Sequence, residues 1–375
     1  MKNAMWEYII PSESEKEELW ESSVFVFDTN VLLNLYRYTA KTRDNLLTAF
    51  SDLQERVWLP NQVVQEFAQN RLEVIYEMLE KYNNLNMQRE KFINLYREEL
   101  RLQSGDEEII KLDEQISGWI DNQKKRNVIV SNVSNDLIFD KLLQIFDNRV
   151  GKEYTQEELA IIKEEGKNRY EKNIPPGYKD AKKQIDDFDN NAYGDLIVWK
   201  QIMDYSQKEK KNIIFITHDQ KKDWWQIIKG KTIGPRIELK KEFKENTKMG
   251  FYMYSMDGFI QYFAKFKGNQ ADVTVVDEVR AISKKRKKKK ARNLNEYTLV
   301  LERNIVSLSE RISRRQRSIA NIETKYKEST MPSEVKEQLY NTKMKMESLI
   351  IQREKKEEEL MKVRNQMVHN VFVDF

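Results

Sequence analysis

The sequence predicts an α/β fold built on a parallel sheet, with a helical insertion and a C-terminal helical hairpin or coiled coil. Three observations lead there. Residues 24–27 (VFVF) and 213–217 (IIFIT) are short, continuous apolar runs, the pattern of strands buried on both faces in a parallel sheet. Helical patterns fill the spaces between such runs, as crossover connections require. Of the 375 residues 34% are charged, above the usual quarter, which confines the core to part of the chain and leaves long solvated helices elsewhere.

Taken in order, residues 1–23 form an N-terminal helical segment that leads into the strand at 24–27 and a helix over 30–38. "VWLP" at 57–60 reads as a second strand, followed by a helical pattern from 61 to about 103. A further helix near 108–122, a Ser/Asn break at "VSNVSND" and short helices to Tyr170 carry no strand signal, so 73–174 reads as a helical insertion. "IPPGYKD" at 174–180 marks the return to the sheet, because two prolines and a glycine stop a helix and impose a rigid turn. A helix over 191–206, the strand at 213–217, a helix over 220–228 and a strand at 251–255 complete a domain made of 24–72 and 175–265.

Residues 266–293 read as a basic linker, with eight basic residues in nine from Lys284 onward, whose mutual repulsion disfavours compact packing. Helices over 294–328 and 333–369 follow within the arm 294–375, and Pro332 suits the first turn of the second. Leu294, Tyr297, Leu301, Ile305, Leu308 and Ile312 recur at steps of three and four, the seam of an antiparallel hairpin or coiled-coil arm.

Composition narrows the chemistry. The absence of cysteine removes disulfides, thiolate zinc sites and a Cys nucleophile, and two histidines leave little for an imidazole metal cage or a catalytic triad. No apolar run approaches the roughly 18 residues a membrane crossing needs, and the acidic, broken N-terminus is unlike a signal peptide, so the expected location is the cytoplasm. There is no Walker A pattern, no G-x-G-x-x-G, and no second Asp two residues after Asp28. Carboxylates, hydroxyls, lysines and arginines must carry any reaction.

Four acids stand where strands end or helices begin. Asp28 follows the first buried strand, and strand ends are where open α/β sheets bind ligands; an N-cap for the next helix is the competing reading. Asp219 ends "FITHD" in the same way and also suits a cap of a helix over 220–228. Asp195 shares a helical stripe with Trp199 and Ile202, a stripe that should face the sheet, and a carboxylate there needs a polar or positive partner. Glu66 lies beyond the N3 position of a helix starting near Asn61, so a capping box does not explain it, and a surface glutamate is its plain alternative. Together the four suit Mg2+ or Mn2+, hard ions held by a few carboxylates and several waters. Such ions activate water and stabilise a phosphodiester undergoing in-line displacement.

"FDTNVLLNLY", the acid in "VVQEF", "GDLIVWKQI" and "FITHD", with "EEGKNRYEKNIPPGYKD" before the third, together resemble the PIN-domain nuclease superfamily and its bacterial PIN-like subgroup with a large helical insertion. The resemblance implies a three-layer α/β/α sandwich and a metal-dependent nuclease, RNA being the substrate in preference to DNA. It implies an acidic pocket of Asp28, Glu66, Asp195 and Asp219 as metal ligands, with a metal-bound water as nucleophile. Thr29, Asn30 and Thr217 match its supporting polar positions, and Asp223 competes with Asp219 for the fourth acid. Asp180, Asp186 and Asp187 read as solvated charges, His218 as a bystander beside the strand end, and Lys200 and Arg37 as surface charges. Trp6, Tyr8 and Trp20 offer faces for base stacking, with ordinary packing of the N-terminal helix as the plainer reading.

The run Lys284, Lys285, Arg286, Lys287, Lys288, Lys289 and Lys290 would contact nucleic-acid phosphates in a salt-sensitive, sequence-blind way, against the alternative of a solvated linker. The helical arm suggests self-association or a protein partner. By the same resemblance the chain is a toxin or antiviral defence effector under a partner's control. A catalytically weak nucleic-acid-binding or scaffolding protein acting through its arm is the alternative from another class.

Overall fold

A computed structural model describes residues 5–103, 105–127, 135–179, 192–326 and 331–371. Helix α1 (Glu13–Ser22) starts at a capping box in which the Ser12 hydroxyl accepts the Glu15 amide and the Glu15 carboxylate accepts the Ser12 amide. It runs into strand β1 (Ser23–Phe27), then α2 (Thr29–Asn34), α3 (Ala40–Asp52), the short strand β2 (Val57–Trp58) and α4 (Asn61–Glu99). Helices α5 (Glu107–Asn127), α6 (Leu137–Ile145) and α7 (Gln156–Glu171) lead to α8 (Gly194–Glu209) and strand β3 (Asn212–Thr217). Strands β4 (Trp225–Ile228) and β5 (Lys231–Pro235), helix α9 (Ile237–Thr247), strand β6 (Phe251–Ser255) and α10 (Met256–Phe266) follow. Two long helices, α11 (Val273–Lys325) and α12 (Ser333–Val371), close the chain.

The main sheet has the order β2-β1-β3-β6 and is parallel throughout. Register sets its two faces. Phe25 pairs with Ile214 and Ile214 with Tyr252, so these three share one side, while Val26, Phe215 and Met253 share the other. Trp20 of α1, Phe50 of α3 and Phe259 of α10 stack against the first face, where Phe27 lies 4.3 Å from Phe50 and Phe25 4.7 Å from Trp20, ring centroid to centroid. Trp199 of α8, Phe243 of α9 and Trp224 cover the second, with Trp199 5.0 Å from Phe251 and Phe215 5.1 Å from Trp224. The architecture is therefore an α/β/α sandwich, and all β1 side chains are buried, as the uninterrupted apolar run requires.

Several elements differ from the sequence reading. The helix expected over 220–228 is a turn followed by the antiparallel β4–β5 ribbon. Lys229 and Gly230 both take positive φ, 48° and 76°, which is the two-residue hairpin turn that right-handed strand twist selects. The Lys-Gly pair and the β-branched residues on either side outweigh a helical spacing there. Helix α4 runs unbroken to Glu99, across the boundary expected at 72 and 73. The stretch read as a basic linker is helical from Val273 onward, because Lys and Arg are good helix formers and the chain supplies i,i+4 pairs such as Arg292–Glu296 at 2.8 Å. Trp20 is enclosed by Phe25, Phe259 and Tyr262, so it packs and does not offer a face to bases.

The chain divides into two compact units, Met1–Ile282 and Ser283–Phe375. The first includes the root of α11. Val275, Val276 and Val279 are buried there, and the Glu278 carboxylate accepts from the Thr39 amide (2.6 Å) and hydroxyl (2.7 Å), tying the start of α3 to the root of α11. The second unit is an antiparallel hairpin: Leu308 and Ile312 of α11 pack with Leu349 of α12, Lys343 pairs with Glu323 at 2.7 Å and Arg364 with Glu302 at 2.8 Å. Leu301, Leu308, Ile312 and Ile319 are buried at steps of seven, four and seven, whereas Tyr297 of the expected seam is exposed.

Candidate active site

Parallel strands bring their C-terminal ends, and the N-termini of the helices that follow, to one edge of the sheet. Asp28 is the first residue beyond β1, tied there by its amide to the Ile216 carbonyl at 2.9 Å. It sits at the N-cap position of α2, but its side chain makes no capping bond; the carboxylate instead accepts from the Thr217 hydroxyl at 2.7 Å. Thr217, buried at the end of β3, turns its hydroxyl oxygen to the Asp219 amide at 2.8 Å as well. One hydroxyl thus links two of the predicted acids.

The Thr29 hydroxyl donates to Glu66 at 2.8 Å. Gln62, one turn earlier on α4, donates to the other Glu66 oxygen at 2.9 Å, so both carboxylate oxygens are aimed by named donors. Gly194 opens α8 directly against them: a Cβ there would lie 2.6 Å from Glu66 Oε1. Only a glycine lets the carboxylate rest at the helix start, with Asp195 as the next residue. Asp195 occupies the first turn of α8, where the helix dipole favours negative charge, while Trp199 and Ile202 on the same stripe are fully buried. Gly177, in the Pro-Pro-Gly turn, has φ of 87° and lies against it; a Cβ there would meet Asp195 Cβ at 3.0 Å.

Lys221 completes the arrangement. Its ammonium lies 2.9 Å from Asp219 Oδ2 and 3.9 Å from Asp195 Oδ2. Asp28, Glu66, Asp195 and Asp219 therefore come from four elements and are linked through Thr217, Thr29, Gly194 and Lys221.

Residues 24–239 match the model of a family described as a PIN-like domain, more than half of the chain. The chain belongs to the PIN-like domain family. No curated protein and no solved structure matches it. The family indicates a nuclease-type function and therefore a nucleic-acid substrate, and its match runs through the helical stretch 73–174 that the sequence reading set apart.

Other residues of the PIN-like domain are committed elsewhere. Asp223 is completely enclosed, and its Oδ2 accepts the Lys179 amide at 3.3 Å, which fastens the end of the 174–179 turn. Lys200 pairs with Glu165 at 2.8 Å and Arg37 with Glu77 at 3.2 Å. His218 exchanges a hydrogen bond with the Tyr38 hydroxyl at 2.8 Å, and burial pushes that phenol well above its ordinary range. Asn30 is half-buried beside Thr29. Asp180, Asp186 and Asp187 lie outside the described residues, as do the side chains of Arg286 and Lys287–Lys290; Lys284 and Lys285 are exposed. Gly177 was read only as part of a turn, and Gln62, Gly194 and Lys221 were not singled out in the sequence reading. Gln62 was within reach of it, four residues before Glu66 on one helix face.

Among the described residues no three carboxylate or imidazole groups gather closely enough to form a ready-made metal cage. The donors fit an ion that keeps most of its water, as Mg2+ does when one or two carboxylates hold it. An ammonium already stands between two of the acids, a monovalent cation in a place of concentrated negative charge. Among the described residues no helix is long and apolar enough to cross a membrane.

Proposed function

We propose that this chain is a divalent-metal-dependent nuclease that hydrolyses phosphodiester bonds, RNA in preference to DNA, with Asp28, Glu66, Asp195 and Asp219 as its working acids. The observation that carries the reading is their orientation. Each stands at the C-terminal edge of the sheet, where the Thr217 and Thr29 hydroxyls reach Asp28 and Glu66 from other elements, and the Gln62 amide and Lys221 ammonium add to them from the same helix as Glu66 and the same loop as Asp219. The preference for RNA rests on the usual activity of the family.

When bound, Mg2+ or Mn2+ supplies Lewis-acid stabilisation of phosphoryl charge and a more acidic water. The protein's share is placement. Thr217 holds Asp28, Thr29 and Gln62 hold Glu66, and the start of α8 presents Asp195 with its amide dipoles behind it. Asp219 is held by its own loop, since the Lys221 amide donates to Oδ1 at 2.8 Å and the Trp225 indole donates to the Asp219 carbonyl. Lys284 and Lys285, with the basic run that follows, add sequence-blind attraction for phosphate. The C-terminal hairpin, with its own apolar seam, is assigned to self-association or to a regulatory partner of the kind that restrains toxin and defence nucleases.

The test incubates purified protein with labelled single-stranded RNA, structured RNA and DNA, in Mn2+, Mg2+ or EDTA, beside Asp28→Asn and Asp195→Asn. Metal-dependent cleavage lost in both variants is the expected result. Cleavage that survives both substitutions overturns the site, and metal-independent binding without cleavage favours a scaffolding role.

A further inference from the structure

Among the described residues Lys221 is the cation that ion-pairs with two of the proposed acids, and its backbone is fixed from both sides. Its amide donates to Asp219 Oδ1 at 2.8 Å, and its carbonyl accepts from the amides of Trp224 (3.2 Å) and Trp225 (3.1 Å). Both tryptophans are buried, Trp224 against Phe215 of the sheet. The main chain at Lys221 therefore belongs to the rigid frame of the domain, and only its four-carbon stem is left to move. The side chain is a quarter exposed, and its ammonium lies 2.9 Å from Asp219 and at the outer limit of an ion pair, 3.9 Å, from Asp195.

We propose that Lys221 is the resident counter-cation of this site, a positioning residue whose ammonium screens Asp219 from Asp195 until a divalent cation displaces it. The inference rests on the reading of these acids as metal ligands. Two carboxylates on separate elements repel each other when both are ionised, and an ammonium between them removes that repulsion. A divalent cation at the same oxygens cannot share the space with a fixed positive charge at ion-pair distance. Its entry must move the ammonium aside. The displaced group, still tethered beside Asp219, then faces the anionic substrate as a phosphate-binding point charge. Lys221 thus lowers the affinity for metal in the empty protein and contributes to holding phosphate in the loaded one.

The experiment titrates Mn2+ into the wild-type chain and into Lys221→Met, Lys221→Gln and Lys221→Arg by calorimetry at neutral pH without nucleic acid, with circular dichroism as the check on folding. Removing the charge should tighten Mn2+ binding by about fivefold, the size of one modest ion pair, while the arginine variant stays near the wild type. Unchanged affinity in both neutral variants overturns the proposal while leaving the metal reading in place. Weaker binding in both overturns it too, because a purely structural lysine gives that sign. Absence of Mn2+ binding in every variant and in the wild type overturns the metal reading itself.

Discussion

The two compact units of this chain bury their apolar residues in different ways. Met1–Ile282 encloses large aromatic side chains in two layers around a parallel sheet, with Trp20, Phe25, Phe27, Phe50, Trp199, Phe215 and Phe259 almost wholly hidden. Ser283–Phe375 has a single seam, in which Leu308, Ile312 and Leu349 form the central cluster between exposed, charged helix faces. A layered core fixes each element from two sides, which is what a site assembled from four separate elements needs. A seam between two helices fixes only their mutual register, which suits recognition better than chemistry.

The sharpest way to break this contrast is in the cores. Phe259→Ala should destabilise the first unit by about 3–5 kcal/mol, read as a lowered melting transition, because Phe259 touches Trp20, Phe27 and Phe50. Asp28→Asn should lower cleavage by roughly 10²–10³-fold, about 3–4 kcal/mol of barrier, with the melting temperature little changed. Leu308→Ala in the hairpin should cost about 2 kcal/mol, the low end for a leucine, since its neighbours can close the gap. Loss of the hairpin's melting signal with cleavage intact would place the chemistry in the first unit alone.

Two smaller effects sharpen the account of the first unit. Gly194→Ala puts a methyl group where Glu66 Oε1 now lies, so it should lower cleavage by about tenfold, some 1.4 kcal/mol, while a flexible carboxylate moves aside and stability holds. Asp257 pairs with Arg280 at 2.9 Å at the root of α11. Burial would raise its pKa, but the Ser255 hydroxyl and the Arg280 guanidinium outweigh it and hold the carboxyl below its ordinary value. A depressed folded pKa gives stability that is present above the unfolded value and lost as pH falls through the folded one. Asp257→Asn should therefore cost less than about 1 kcal/mol at neutral pH, and the gap in melting temperature should narrow as the pH drops below about 4.

Much of this fold was legible because its strands are unusually plain. Residues 24–27 and 213–217 are continuous apolar runs, and both are buried strands in register with each other. The ribbon after Asp219 was not legible as such, since Trp224, Trp225, Ile227 and Ile228 also fit a helical period and only Lys229-Gly230 betrays the turn. Helices α3 and α9 were missed as well; both are charged, and their buried sides are decided by the sheet and by partners such as Glu278.

The four acids could be picked out because each interrupts an apolar pattern at a strand end or a helix start, and that much is local chemistry written along the chain. What aims them is not local. Thr217 reaches Asp28 across 189 residues, Thr29 reaches Glu66 across 37, and Gly194 matters only because α4 lies against its backbone. Hydroxyls, a glycine and a lysine leave no periodic trace in a sequence, since their partners are set by which strands pair and which helices cross the sheet. Residue type and spacing decided which elements form and which side chains have the right chemistry; the packing of a parallel sheet decided that those side chains meet at one edge, because parallel pairing brings strand ends together however far apart they lie in the chain.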